Sequence, residues 1–130
     1  MIENDTVIKI KTRVEIIEET AAFYNLNNLS NGDDNNSCVY FNETTGNRCA
    51  VGRCLKTDSD AQVSEFNEDG ARRLFEMLGF NILKDEYRIE DVVFWDKLQS
   101  LHDEEGNWNE NGLTQHGIQY KNYLLKEYAN

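Results

Sequence analysis

Apolar residues recur at intervals of three and four near the start of the chain. This spacing predicts a helix with one apolar face, and Asp5 is a suitable N-cap for it. A strand pattern at Ile8, Ile10, Val14 and Ile16 competes with this interpretation, but the residues that follow, 18–22, favour a helix. The positions of the helical stripe are Val7, Ile10, Val14, Ile17, Ala21 and Tyr24.

The next patterned segment, residues 38–51, is typical of a β-hairpin. Residues 38–41 are rich in β-branched and aromatic side chains, residues 42–47 contain the turn formers Asn, Thr and Gly, and residues 48–51 can return as the second strand. Gly52 follows and allows a close approach of another backbone. The preceding residues 25–37 are rich in Asn, Asp, Ser and Gly and predict a loop.

Three further helices are predicted in the second half of the chain. The first begins with Asn67 as N-cap and ends at Gly79. The second covers residues 90–102, and the third follows Thr114 as its cap. Residues 56–65 and 103–112 are expected to be connectors, and a short strand is possible around residues 87–89. The apolar faces are Ala71, Leu74, Phe75 and Leu78, then Phe94, Leu98 and Leu101, then Ile118, Leu125 and Tyr128 with Tyr120 and Leu124 beside them.

These elements predict a single α+β domain over residues 1–130. It would be mainly helical, with about four helices packed around one small β-hairpin. A chain of 130 residues is long enough to form one hydrophobic core without metals or disulfides. Its aromatic residues, 11% of the chain, can supply much of the buried area.

The charge is strongly acidic and unevenly distributed. The net charge is −11, and residues 58–110 alone contribute −10, from 15 acidic and 5 basic residues. Such a surface repels nucleic acid and attracts proteins with a basic surface, so direct DNA or RNA binding is not expected. The carboxylates expected to form this partner-binding face are Glu90, Asp91, Asp96, Asp103, Glu104 and Glu105.

Three cysteines, an odd number, indicate reduced thiols in a cytoplasmic protein. The first residues carry neither a basic start nor an apolar stretch, so no signal peptide is expected. No apolar run has the length of a membrane span, so no membrane association is expected either. The sequence leaves open whether the chain forms a homo-oligomer.

The cysteines and histidines also suggest two kinds of chemical site. Cys38, Cys49, Cys54 and His102 are suitable ligands for one zinc ion, although their spacing is not that of a known zinc motif. A cysteine nucleophile with His102 as its base and Asp103 as the orienting acid is the second interpretation. Cysteines packed in the core, with no cofactor bound, are the simpler alternative to both.

A third candidate is an anion pocket. Tyr40, Arg48, Arg53 and Lys56 lie in and just after the predicted hairpin and contrast with the acidic remainder. Arginine forks beside an aromatic ring suit a phosphate-bearing ligand, with Tyr40 stacking on a base. The alternative is that these cations pair with neighbouring carboxylates.

Several separated blocks resemble a family of small uncharacterised bacteriophage proteins. The blocks are the C-x-Y segment at 38–40, the G-N-R-C-A-V-G segment at 46–52, and the L-Q-S-L-H-D segment at 98–103 followed by Trp108. The resemblance covers roughly residues 37–55 and 92–125 and carries no established activity. It implies a phage origin and a place in the cytoplasm of an infected bacterium.

Together these features predict a non-enzymatic phage accessory protein. It would bind and inhibit a host protein of defence or nucleic-acid handling through its acidic surface. One alternative is a sponge that sequesters a nucleotide or other small anionic signal at the anion pocket. A second alternative is an interaction module stabilised by zinc.

Overall fold

The computed structural model describes residues 9–29, 39–67 and 69–129, without the side chain of Glu105. Five α-helices and one two-stranded antiparallel hairpin lie in these residues. The class is therefore the mainly helical α+β one that the sequence predicts, with one more helix than expected. The elements are α1 (Arg13–Phe23), α2 (Asp60–Val63), α3 (Ala71–Leu78), α4 (Val92–Asp103), β1 (Trp108–Asn109), β2 (Gly112–Leu113) and α5 (Gln115–Tyr128).

Helix α1 confirms the first predicted helix, but it begins later than the apolar stripe suggests. Thr12 is its N-cap, and a reciprocal capping box joins the Thr12 hydroxyl to the Glu15 N–H and the Glu15 carboxylate to the Thr12 N–H. Asp5 lies outside the described residues. The helix ends at Tyr24, whose backbone turns to an extended conformation.

The hairpin predicted at residues 38–51 is wrong for the described residues 39–51, which contain no strand. Only a tight turn forms there, closed by a 2.9 Å bond from the Asn42 N–H to the Asn47 carbonyl. The backbone groups that would form a ladder bond to side chains instead: the Tyr40 N–H to Asn67 and the Val51 N–H to Gln99. The chain then enters a 3-10 turn, Gly52–Cys54.

The hairpin of this fold lies in a segment predicted to be a loop. Strands β1 and β2 pair Trp108 with Leu113 and Asn109 with Gly112. The side chain of Asn109 accepts a bond from the Asn111 N–H, and Gly112 has a φ of +130°, so the turn is made by Asn and Gly. Each strand has only two residues, which is too short to show alternation in the sequence.

The extra helix arises in the predicted acidic connector. A 3-10 turn (Thr57–Ser59), helix α2 and a second 3-10 turn (Ser64–Phe66) follow one another without a break. Val63 is buried, whereas Asp58, Ala61 and Glu65 face solvent. This short run carries few apolar residues, which is why its periodicity escaped the sequence pattern.

Helices α3 and α4 pack against one another. Helix α3 starts after Gly70 rather than at Asn67, and its first N–H, on Ala71, donates to the Asp96 carboxylate of α4. Asp91 is the N-cap of α4 and accepts a bond from the Phe94 N–H. Gly79 ends α3 with a φ of +78°, as predicted. Residues 85–87 form a 3-10 turn rather than a strand.

Helix α5 begins after Thr114, which caps it as predicted through a 3.1 Å bond from the Gly117 N–H. Its buried face was predicted incorrectly only at Ile118, which is 46% exposed; Leu125 and Tyr128 pack against the core, and Leu124 is buried beside them. The close contact that sets this face is made by Gly117: a β-carbon there would lie 2.3 Å from the Asn107 carbonyl oxygen. Helix α5 is thereby turned with Gly117 and Leu124 inward.

The core is one cluster that draws on α1, the turn at 49–55, α3, α4, β1 and α5. Trp95 is at its centre, and the indole N–H donates to the Ile89 carbonyl. Phe94 and Phe75 contact its ring. The functional candidates are best judged by whether their side chains belong to this cluster or lie on the surface.

Candidate functional site

The first two sequence blocks, at 38–40 and 46–52, contribute described residues to the core. The Tyr40 ring is completely buried, and its hydroxyl donates to the Asp69 carbonyl at 2.7 Å. Gly52 lies directly against it, because a β-carbon on Gly52 would be 2.0 Å from the Tyr40 carbonyl oxygen. Cys49 is buried, and its sulfur accepts a bond from the Gly52 N–H. Packing in the core explains the presence of Tyr40, Cys49 and Gly52 in these blocks.

The third block, residues 98–103 with Trp108, forms a buried polar network at the end of α4. The Gln99 side chain accepts the Val51 N–H at 3.0 Å and donates to Asp103 at 2.7 Å. His102 donates from Nδ1 to the same carboxylate at 2.9 Å, while Trp108 donates its indole N–H to the Leu101 carbonyl. These contacts join the Cys49–Cys54 turn to α4 and to β1. The third block therefore has a structural role as well.

The cysteine nucleophile is contradicted at the two described cysteines. Cys49 and Cys54 are free thiols, as predicted, but both are completely buried. Burial raises the pKa of the Cys54 thiol to about 12, so it is protonated at neutral pH. His102 is also completely buried, against the Tyr24 ring and the Asp103 carboxylate. A substrate on the surface would reach neither the thiols nor the imidazole.

The residues proposed as zinc ligands are only partly described. Cys49, Cys54 and His102 all lie in the core, and Cys38 lies outside the described residues. Within the described ranges, no three His, Cys, Asp or Glu side chains come together in a group that can hold a metal ion. The described contacts of Cys54 and His102 are those of packed core residues: Cys54 donates to the Ala50 carbonyl and His102 to Asp103.

Three of the four residues predicted to form the anion pocket are engaged in other contacts. Tyr40 is buried and cannot stack on a ligand base. Arg48 forms a fork with both oxygens of Asp60 at 2.7 Å, and Arg53 binds Glu19 at 2.9 Å. Lys56 is half-buried beside the Leu55–Leu83 bridge. The pairing of these arginines with carboxylates, the alternative interpretation, is what the structure shows.

Arg53 belongs to a cluster centred on Glu19. The Glu19 carboxylate accepts bonds from Lys11, from the Arg53 guanidinium and, at 2.5 Å, from the Tyr87 hydroxyl. Desolvation alone raises the pKa of Glu19, but the three bonds outweigh it and lower that pKa to about 2. This Glu19 cluster joins α1 to the Gly52–Cys54 turn and to the turn at 85–87.

Replacing Glu19 with glutamine should weaken the fold at neutral pH and flatten its acid dependence. Because the folded pKa lies below the ordinary value near 4.5, ionised Glu19 stabilises the protein above pH 4.5, and this contribution is lost as the pH falls toward 2. The carboxylate is 28% exposed, so screening limits the loss to about 1–2 kcal/mol. Urea unfolding at pH 7 and near pH 3 measures it.

The control for Glu19→Gln is Glu76→Gln, at an exposed position of α3 with no ion pair among the described residues. It should leave the free energy of unfolding at pH 7 unchanged. Equal losses for both variants at pH 7, or an equal loss for Glu19→Gln at both pH values, would contradict the role of the cluster.

The six carboxylates of the predicted acidic face do not form one group. Asp91 caps α4 and pairs with Arg13, Asp96 caps the start of α3, and Asp103 belongs to the buried network. Glu90 and Glu104 are exposed, but they flank opposite ends of the 12-residue helix α4, which is about 18 Å long. The Glu105 side chain is not described. Three of the six residues therefore have structural roles that their charge pattern did not reveal.

The ion pairs determine which charges remain on the surface. Eight of the 13 Lys and Arg side chains pair with carboxylates: Lys11, Arg13, Arg48, Arg53, Arg73, Arg88, Lys97 and Lys121. The carboxylates with no ion pair in the described part of the chain are mostly exposed. They include Glu43, Asp58, Glu65, Glu76, Glu90 and Glu110. The sequence interpretation missed Glu43, Asp58 and Glu65, although all three lie in polar segments.

No protein-family model, curated protein or solved structure matches the chain. None of the described helices is long and apolar enough to cross a bilayer.

Proposed function

We propose that the chain is a phage accessory protein that binds a host protein through its acidic surface and inhibits it. The observation that carries this proposal is the pattern of ion pairs. Most cations are held by carboxylates, so the charge left at the surface is predominantly negative. Such a surface attracts a basic protein at long range and repels nucleic acid. The resemblance of its sequence blocks to phage proteins supports the proposed origin.

The nucleotide sponge is not favoured by any described contact. Its two arginines are occupied by Asp60 and Glu19, and its aromatic residue is inside the core. A ligand phosphate would have to displace a carboxylate from each guanidinium, which breaks the three existing charge-assisted bonds. The acidic surface requires no such rearrangement.

The test is capture from a bacterial lysate, followed by binding of the identified and purified partner at several salt concentrations. The partner should carry a basic surface, its affinity should fall by about ten-fold between about 50 and 300 mM NaCl, and its own activity should decrease on binding. Partners whose affinity ignores salt, or whose activity is unchanged at saturation, would contradict the proposal.

A charge variant sharpens this test without disturbing the fold. Glu76→Gln, Glu90→Gln and Glu110→Gln together remove three exposed carboxylates that make no described ion pair. Asp91, Asp96 and Asp103 should be left intact because of their structural bonds. The triple variant should associate more slowly with the partner at low salt, measured by surface plasmon resonance, with unfolding unchanged in urea.

A further inference from the structure

A cleft beside the Arg48–Asp60 pair combines apolar and acidic surface. It is lined by Phe41, Glu43, Asp60, Ala61 and Ser64 and has a volume of about 330 Å³. This volume is at the lower end of the range of about 300–1,000 Å³ that is typical of small-molecule sites. This Phe41 cleft is therefore better suited to one long side chain than to a nucleotide.

Several carboxylates lie in or near the Phe41 cleft. Glu43 and Asp60 line it, and Asp60 is paired with Arg48. Asp58 and Glu65 lie three positions before and four positions after the lining residue Ala61 in the run of turns around α2. Glu43, Asp58 and Glu65 are exposed and have no ion pair among the described residues. The rim formed by these three carboxylates is thus negative, whereas the floor is aromatic and aliphatic.

The protein already holds one guanidinium at this place. Arg48 lies over the Phe41 ring, 4.3 Å from its centroid, and binds both oxygens of Asp60. An aromatic face beside a carboxylate favours arginine over lysine, because a planar guanidinium stacks and forks where an ammonium does neither. The chemistry of the cleft repeats this arrangement, with Phe41 and Ala61 for the stem and Glu43, Asp58 and Glu65 for the charge.

We infer that the Phe41 cleft binds an arginine side chain presented by the partner protein. This inference rests on the proposed function and names the contact that would give it affinity. Exposed charges mainly steer association, whereas affinity requires a buried anchor, and arginine is among the commonest interface anchors.

The other acidic cleft, at the end of α4, is less suitable. Ser100, Asp103, Glu104 and Tyr120 line it. Asp103 is already held by His102 and Gln99, and Glu104 lies 3.9 Å from the His116 ring. Both of its carboxylates therefore have partners, whereas Glu43 in the Phe41 cleft has no ion pair among the described residues.

The test uses a synthetic amidated peptide with two arginines separated by alanines, and matched peptides with lysine or with neutral citrulline. The protein is titrated at low salt and followed by amide chemical shifts in NMR spectra. The arginine peptide should perturb residues 41–43 and 58–65, the lysine peptide should bind about three-fold or more weakly, and the citrulline peptide should not bind. Shifts elsewhere only, or equal binding of the arginine and citrulline peptides, would overturn the inference.

Two triple variants with the same change in charge complete the test. Glu43→Gln, Asp58→Asn and Glu65→Gln should weaken the arginine peptide by about five-fold or more, whereas Glu76→Gln, Glu90→Gln and Glu110→Gln should weaken it by less than about two-fold. Equal weakening would mean that net charge alone attracts the peptide, which refutes the cleft but leaves the proposed function intact. A captured partner that ignores salt would refute the proposed function whatever the peptide does. Sedimentation should show the same oligomeric state for the wild-type protein and for the cleft variant. Self-association of the wild type that the cleft variant abolishes would show instead that the occupant of the cleft is a second copy.

Discussion

Replacing Gly52 with alanine should destabilise the fold by about 3 kcal/mol or more. The new β-carbon would lie 2.0 Å from the Tyr40 carbonyl oxygen, a backbone atom rather than the end of a flexible side chain. Tyr40 is held in place because its N–H donates to Asn67 and its hydroxyl donates to the Asp69 carbonyl. The chain must shift at 40 or at 52, and either shift disturbs the Cys49–Leu55 segment, in which every residue except Arg53 is buried. Urea unfolding monitored by circular dichroism measures the loss.

The matched control for Gly52→Ala is Gly106→Ala. A β-carbon at Gly106 would meet no atom within 4 Å, and this glycine is exposed. The control should unfold at nearly the same urea concentration as the wild type. A Gly52→Ala protein that does the same would show that the close contact of the two backbones is not required.

The second large effect is expected for Gln99→Leu, which preserves size but removes the amide. The Val51 N–H would lose its acceptor inside the core, and Asp103 would lose one of its two donors. A buried donor left without a partner costs about 1–3 kcal/mol, so a total loss of about 2–3 kcal/mol is expected. Thermal or urea unfolding checks this value.

Gln119→Leu on α5 is the control for Gln99→Leu, because Gln119 is exposed and makes no described hydrogen bond. It should change the free energy of unfolding by less than about 0.5 kcal/mol. If Gln99→Leu were as stable as this control, the network around His102 would not be what joins the Cys49–Cys54 turn to α4.

The helices were largely predictable because each carries a local signal. Thr114 caps α5, Gly79 ends α3, and Phe94, Leu98 and Leu101 form the buried face of α4 as expected. These signals depend on residues three or four apart on one element. Such local signals are the ones that a single sequence carries most clearly.

The hairpin was not predictable in the same way. Residues 39–51 have the composition of strands, but their backbone groups bond to Asn67 and Gln99, which lie 27 and 48 residues from their partners. Composition indicates the tendency of a segment to form a strand, whereas actual strand pairing depends on which distant groups bond to its backbone in the fold. The actual hairpin at 108–113 has strands too short for any periodicity.

The partners of the candidate site residues were not predictable for a related reason. A charge pattern does not show that Arg48 faces Asp60 or that Asp103 faces His102, because these pairs form through the fold. The −10 charge of residues 58–110 was visible in the sequence, whereas its division into structural and surface carboxylates was not. The Phe41 cleft also brings together residues from segments 41–43 and 60–64, which the sequence analysis had assigned to different elements.

The burial of residues within the sequence blocks limits which positions of such chains can change in evolution. Packed atoms and hydrogen bonds constrain four residues of the blocks, so substitutions there destabilise the fold. These residues are Tyr40, Gly52, Gln99 and Trp108. Glu43, Asp58 and Glu65 support no described bond that the fold needs, and exchanging them costs little stability. A chain that shares these blocks is therefore expected to share the fold, while its rim carboxylates are free to differ. Two such chains can keep one scaffold and differ in the charge of the rim.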